Sequence, residues 1–316
     1  MPESNLTVIT AQQVLIMFLL ILAGYLAVRV GALEGGARRG FSSLLVNLVV
    51  PAMIIDSYMI PFDPAILGNL ARTALASLGV LLLGLVIAAA VTRRGGGDKA
   101  LIRFAITFSN AGYMGFPLIQ ALFGAEGMLY ASIFNTFFNI LLWSVGMNMM
   151  RRGAEEEGQG PKTNPLLDLV RKPALAAVAI GLVIYLGQIP VPELIAQPIS
   201  LMGGMNTPLS MLITGIIIAT SDLKAVIRSG TLWRTVLTRM LLVPAAGLAL
   251  CALTGTGGMV GAVVILLEAC PCAAITSVFA VQYRHDERLA AGMVVVSTLL
   301  SILTLPLFAA LVQMVG

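Results

Sequence analysis

Apolar residues in this chain come in long runs, each closed by a charged, glycine-containing or proline-containing break. The hydrocarbon core of a bilayer needs about 20 consecutive, mostly apolar residues for each helix that crosses it. On that template the runs predict ten spans, at about 10–30, 40–60, 67–92, 100–122, 127–150, 173–188, 196–219, 231–254, 258–282 and 288–314. The longest hydrophilic stretch, Arg151 to Lys172, follows the fifth span and contains Glu155-Glu156-Glu157 and Gly158-Gln159-Gly160-Pro161. Its composition marks a linker. The chain therefore divides into a first five-span half (1–150), a linker (151–172) and a second five-span half (173–316). Five is an odd number, so the second half must enter the membrane upside down relative to the first. The expected fold is an all-α membrane protein of two inverted five-helix repeats.

Charge placement sets the orientation. Seventeen of the 19 basic residues fall in the linker or in the loops after the first, third, seventh and ninth spans. The opposite loops carry Glu3, Asp63, Glu126 and Glu193 instead. Basic loops stay in the cytoplasm, so both termini are expected outside and the linker inside, with an inner (plasma) membrane as the expected location. No Lys or Arg precedes Arg29, so the first run reads as a retained span and not as a signal peptide.

Composition agrees. Only 11% of residues are charged, against about a quarter in soluble domains. The formal charge of +4 is scattered over short loops and forms no nucleic-acid footprint. The three cysteines, Cys251, Cys270 and Cys272, all lie in apolar runs and suggest no disulfide framework.

Prolines fall inside four spans: Pro51 in the second, Pro117 in the fourth, Pro208 in the seventh and Pro271 in the ninth. An interior proline removes a backbone hydrogen bond and clashes with the preceding turn. In lipid such breaks survive where protein or a watery cavity satisfies the freed groups. Simple kinks are one account of them; their recurrence at matching places in both halves favours paired functional breaks. The fourth span, Ser109-Asn110-Ala111-Gly112-Tyr113-Met114-Gly115-Phe116-Pro117, is a poor continuous helix. Its counterpart is Leu267-Glu268-Ala269-Cys270-Pro271-Cys272, and sliding the halves by 161 residues sets Asn110 on Pro271. Broken helices crossing there would aim two half-helix N-termini at one point, an arrangement suited to an anion.

Glu268 is centred in an apolar span, and a carboxylate at that depth is expected to be functional. It reads as a proton acceptor or Na⁺ ligand, or else as a structural acid that pairs with Arg239 or stays protonated. Asp56 lies near the outer end of the second span, where it either joins a coupling site or reaches the interface. Asn135 and Asn139 share a helix face by their spacing, and with Asn47, Asn110, Ser132 and Thr136 they could line a polar cavity or serve as inter-helix glue. Cys270-Pro271-Cys272 resembles the copper-binding motif of heavy-metal pumping ATPases, but no phosphate-cradling loop accompanies it. His285 sits among charges, Arg284-His285-Asp286-Glu287-Arg288, and reads as part of a solvated loop.

Leu22-Ala23-Gly24-Tyr25-Leu26, Asn47-Leu48-Val49-Val50-Pro51-Ala52, Asn110 through Leu118, Phe123-Gly124-Ala125-Glu126-Gly127 and Ser297 through Pro306 together resemble the auxin efflux carrier family. Its bacterial members are regarded as transporters of malate, malonate and similar carboxylates. The resemblance covers essentially the whole chain. It implies crossed, broken helices 4 and 9, with a scaffold domain (spans 1, 2, 6, 7) beside a transport domain (spans 3–5 and 8–10). It also implies a homodimer, and contact between Asn110 and an anionic substrate, as in the plant PIN-formed auxin exporters. The long central loop of those exporters is absent here. The more distant bile acid:sodium symporters use a glutamate of the ninth helix in sodium binding, and Glu268 is similar in placement.

These readings converge on a secondary transporter of a small organic anion, working by alternating access. The substrate-binding residues expected are Asn110, Gly112, Tyr113, Pro117, Asn47, Asn135, Asn139, Pro271 and Cys272, with Pro117 and Pro271 holding the crossing open. Ion coupling falls to Glu268, Ser109, Ser132 and Asp56, with Na⁺ held by Glu268, Asn110 and Ser132 or with H⁺ in its place, and no other cofactor. A channel of the same fold is the rival. An intramembrane enzyme would lack a histidine inside the membrane.

Overall fold

The computed structural model describes residues 6–34, 36–93, 98–155, 173–221 and 226–315. Most of the linker, Glu3, Arg94 and Lys224 lie outside the described residues. Among those described, regular structure is entirely helical. In chain order the helices are α1 (Leu6–Arg29), α2 (Ala37–Leu44), α3 (Val50–Tyr58), α4 (Pro64–Thr92), α5 (Lys99–Thr107), α6 (Phe116–Leu141) and α7 (Met147–Glu155). The second half contributes α8 (Pro173–Leu186), α9 (Glu193–Gly204), α10 (Asn206–Thr220), α11 (Gly230–Leu237), α12 (Val243–Leu253), α13 (Gly258–Glu268), α14 (Ile275–Gln282) and α15 (Glu287–Val315).

Seven helical stretches among the described residues are long and apolar enough to cross a bilayer, and Pro173–Leu186 and Gly258–Glu268 are apolar but shorter. One of the seven, Ala111–Arg151, is 41 residues long and takes in parts of the expected fourth and fifth spans. Its backbone turns at Gly124, with φ 59° and ψ −148°. That conformation is open to glycine and strained for any residue with a Cβ.

Proline acts differently from the sequence expectation. Pro51, Pro117 and Pro244 each occupy the start of an α-helix directly after a π-helical turn (Leu45–Val49, Ala111–Gly115 and Thr238–Leu242). The wider turn accommodates a residue that has no N–H and would clash with the carbonyl four positions back. Pro51 and Pro117 therefore do not break their helices. Pro208 lies in the first turn of α10, where its missing N–H has no intrahelical partner to lose. Of the four, only Pro271 lies in a true gap.

α1 lies along α10, and α8 and α9 pack on α3, whereas α4 packs against α5, α6, α12 and α13. The α1–α10 contact is made by small residues. A Cβ on Gly24 would stand 2.5 Å from the Leu212 carbonyl oxygen, and one on Gly215 would collide with the Ile21 carbonyl oxygen. Lipid tails give little hydrophobic drive for helix association, so such close backbone approach supplies the packing energy. Gly215→Val is expected to destabilise the protein by about 1–3 kcal/mol through overpacking. Gly68→Val serves as control, since a Cβ there meets nothing within 4 Å. Equal melting temperatures for the two variants would remove the close-contact account.

His285 is not in a solvated loop. Its side chain is 5% exposed; Nδ1 lies 2.6 Å from Asp98 Oδ2 and Nε2 lies 2.8 Å from the Met150 carbonyl oxygen. Both ring nitrogens face acceptors, so both must carry hydrogen, and that is the imidazolium form. Burial disfavours charge on His285, but Asp98 and the Met150 carbonyl outweigh it and raise the pKa above its usual value. Burial likewise opposes charge on Asp98, and His285 together with the Leu101 N–H lowers its pKa.

The raised histidine contributes its full stabilisation below about pH 6.5 and loses it as pH rises through the folded-state pKa. The lowered aspartate contributes above about pH 3.9 and loses its share as pH falls through its own folded-state value. His285→Ala should therefore cost about 1.5–3 kcal/mol near pH 6, and less in alkaline buffer. Melting curves of both proteins from pH 5.5 to 9 check this; a pH-independent difference would contradict it.

Candidate functional site

Helix α5 ends at Thr107, and the chain runs extended through Phe108 (φ −102°, ψ 118°) before turning helical again at Ala111. Helix α13 ends at Glu268, and α14 begins only at Ile275. The two gaps cross antiparallel at a bridge between Ser109 and Cys272. The Asn110 N–H donates to the Pro271 carbonyl at 2.7 Å, and the Ala273 N–H donates to the Phe108 carbonyl at 3.0 Å. The Cys272 N–H donates to Ser297 Oγ at 3.0 Å. Backbone groups that cannot stay unpaired in a membrane interior thus satisfy one another.

The half-helix C-termini are satisfied by one side chain. Arg239 lies in the π-helical turn between α11 and α12 and is fully buried. Its Nη1 donates to the carbonyls of Ile106 (2.9 Å) and Thr107 (3.2 Å) and to Glu268 Oε1 (2.8 Å). Nη2 donates to the Glu268 carbonyl, and Nε donates to the Cys270 carbonyl at 3.4 Å. The last carbonyls of a helix have no intrahelical partner and carry negative partial charge. A planar cation with five donors suits them. Glu268 Oε2 has no hydrogen-bond partner among the described residues.

The half-helix N-termini face a cavity of about 330 Å³. Asn110, Gly112 and Tyr113 line it from one crossing strand, and Ala273, Ala274 and Ile275 from the other. Ser42, Ser43, Asn135, Asn139, Trp143 and Ala174 add the rest of its polar edge and one mouth, with Val46, Val50, Phe138, Leu142 and Ile217 as apolar wall. No lining residue is acidic or basic. Asn110 is 5% exposed, and its Nδ2 has no hydrogen-bond partner among the described residues. Ser109 Oγ is likewise buried and without a partner among them.

Of the expected substrate residues, the cavity brings together Asn110, Gly112, Tyr113, Asn135 and Asn139, along with Ser109. Asn139 is engaged by its own helix: its Nδ2 donates to the Asn135 carbonyl at 2.8 Å, and Oδ1 accepts from Trp143 Nε1 at 3.3 Å. Pro271 and Cys272 build the crossing but do not line the cavity. Pro117 is buried in the first turn of α6, beyond the π turn and outside the gap at Phe108–Asn110. Asn47 is exposed and bonds Ser43. Asp56 is half-buried beside Ser200.

Of the residues expected to hold Na⁺, only Asn110 lines the cavity; Glu268 Oε1 accepts from Arg239, and the Ser132 hydroxyl donates to the Met128 carbonyl at 2.8 Å. A mobile cation beside Glu268 would meet a fixed guanidinium. Sequence reasoning had placed Arg239 only as one candidate partner for Glu268, and missed its service to four carbonyls. The available signal was its position, as one of two basic residues outside the linker and the basic loops.

Comparison with known proteins extends along nearly the whole chain. A family model described as membrane transport protein matches residues 9–309. An uncharacterized transporter of Methanothermobacter thermautotrophicus is 23% identical over 302 residues, covering 95% of this chain and 97% of the relative. An uncharacterized transporter of Methanocaldococcus jannaschii is 22% identical over 312 residues, covering 93% of this chain and 96% of the relative. Both names speak for transport and not for catalysis.

Proposed function

The chain belongs to the auxin efflux carrier-like family of membrane transport proteins, and from that membership we propose that it is a secondary transporter of a small organic anion. The substrate class is a carboxylate, of the malate, malonate or auxin-like kind, moved by alternating access. One observation carries this reading. Two half-helix N-termini meet on a cavity without acidic side chains, where the Asn110 amide nitrogen is buried and has no partner among the described residues. First-turn N–H groups and the positive end of the helix dipole favour a carboxylate. The apolar wall suits a short carbon skeleton, and the volume lies within the range of small-ligand sites.

In this reading the chain crosses the membrane ten times as two inverted halves. Gly124 separates the fourth crossing from the fifth, and α13 and α14 are the two parts of the ninth. The packing of α10 on α1, of α8 and α9 on α3, and of α4 on α5, α6, α12 and α13 is the support for a scaffold of α1–α3 and α8–α10 beside a moving unit of α4–α7 and α11–α15, with α15 reaching α1 across the divide. The distribution of Lys and Arg supports a cytoplasmic linker. Ser42, Ser43 and Ala174 lie near the basic ends of their helices, which with a cytoplasmic linker supports an inward-facing reading of the cavity.

The test is thermal stability of the purified protein against a panel of small carboxylates, with their amides and alcohols as controls. A bound carboxylate should raise stability saturably, by about 2.7 kcal/mol at a hundredfold excess over Kd. An equal rise from the neutral amide or from an organic cation would overturn the anion assignment.

A further inference from the structure

We propose that Arg239 is a tethered replacement for a coupling cation, so that the protein runs without Na⁺ and conceals a cation site that appears when this side chain is cut back. The inference rests on the transporter reading only in calling the charge a coupling charge. The cage itself is tested by binding, whatever the substrate.

Discontinuous membrane helices leave two C-terminal ends at mid-depth, and such ends with nearby unwound carbonyls are places where transporters hold Na⁺. Here the same kind of oxygen cluster exists: the carbonyls of Ile106, Thr107, Glu268 and Cys270, with the Glu268 carboxylate. It is filled from within the chain. The guanidinium is fully buried, and it reaches carbonyls from both broken helices at once. It does not deprotonate in proteins, so unlike a free ion or a lysine it neither leaves the cage nor switches off. With Glu268 it forms a pair of no net charge. The crossing can then move between its two states without carrying charge through the bilayer. The cage and the anion cavity use opposite ends of the same two broken helices, which keeps the two charges apart.

The experiment compares melting curves of the wild-type protein, Arg239→Ala, and Arg239→Ala with Glu268→Gln. Methylguanidinium, Na⁺ and K⁺ are titrated at constant ionic strength, with methylurea as the uncharged control. Arg239→Ala is expected to be stabilised saturably by millimolar methylguanidinium, with a rise of several degrees. Wild type, the double variant and the methylurea samples should show no such rise. A saturable Na⁺-dependent shift in the wild type, or no cation response in Arg239→Ala, would overturn the proposal. If Arg239→Ala cannot be purified, Arg239→Lys and Arg239→Gln take its place. The lysine variant, which keeps the charge, should be clearly more stable than the glutamine variant, and equal stability would overturn the proposal as well. Failure of the carboxylate panel would leave these outcomes unchanged, so the two ideas fall separately.

Discussion

Alanine in place of Asn110 is expected to leave the protein as stable as before while weakening carboxylate binding about 10- to 100-fold. The two effects separate because different atoms of Asn110 serve fold and site. Its backbone N–H bonds the Pro271 carbonyl and its backbone carbonyl accepts from Met114, and both survive the substitution. Its side-chain Nδ2 has no partner among the described residues, so truncation breaks no hydrogen bond seen there and removes a buried polar group that lacks one. A hydrogen bond to a charged ligand is worth about 1.5–3 kcal/mol, which corresponds to the stated loss in affinity. Melting temperature without ligand, the carboxylate-induced shift, and uptake into proteoliposomes measure the three parts. Unchanged affinity and uptake would remove Asn110 from the site.

The second large effect concerns the buried pair. Arg239→Met should cost about 3–5 kcal/mol, because it strands a carboxylate that is fully buried. It also leaves the carbonyls of Ile106, Thr107, Glu268 and Cys270 without this donor. Glu268→Leu strands the guanidinium's charge but leaves those carbonyl bonds in place, so it should cost less. The double variant should recover part of the loss relative to the sum of the singles, since no unpaired charge remains. It should not return to wild type, because the helix ends stay uncapped. Urea or thermal unfolding in detergent gives the order. A larger cost for Glu268→Leu than for Arg239→Met would mean that the ion pair, and not the capping of helix ends, dominates.

Much of the helical layout was legible because it depends on local composition. Spans could be marked where apolar runs met charge, and the helices begin and end close to those marks. Phe123-Gly124-Ala125 was placed between the fourth and fifth spans, and the positive φ of Gly124 gives the physical reason for the turn there. Proline was a poorer guide. Its clash is real, but a π-helical turn absorbs it at Pro51 and Pro117, and no composition rule distinguishes an absorbed clash from a break. The actual gap in the first half lies at Phe108–Asn110, upstream of Pro117. His285 was misread for a related reason. Its charged neighbours in sequence pointed to water, while Asp98 and Met150, 187 and 135 residues away, enclose it.

By itself the sequence determined that this is a membrane protein of many apolar helices, where those helices lie, and that Asn110 and Glu268 fall inside apolar runs. Hydropathy and charge are properties of short windows, and lipid imposes them directly on the chain. Tertiary structure alone decided which ends of the broken helices meet the cavity and which meet Arg239. That arginine bonds residues 29 and 133 positions distant. Such a choice of partner follows from which carbonyls are left unpaired when the helices cross, and no local window contains that information.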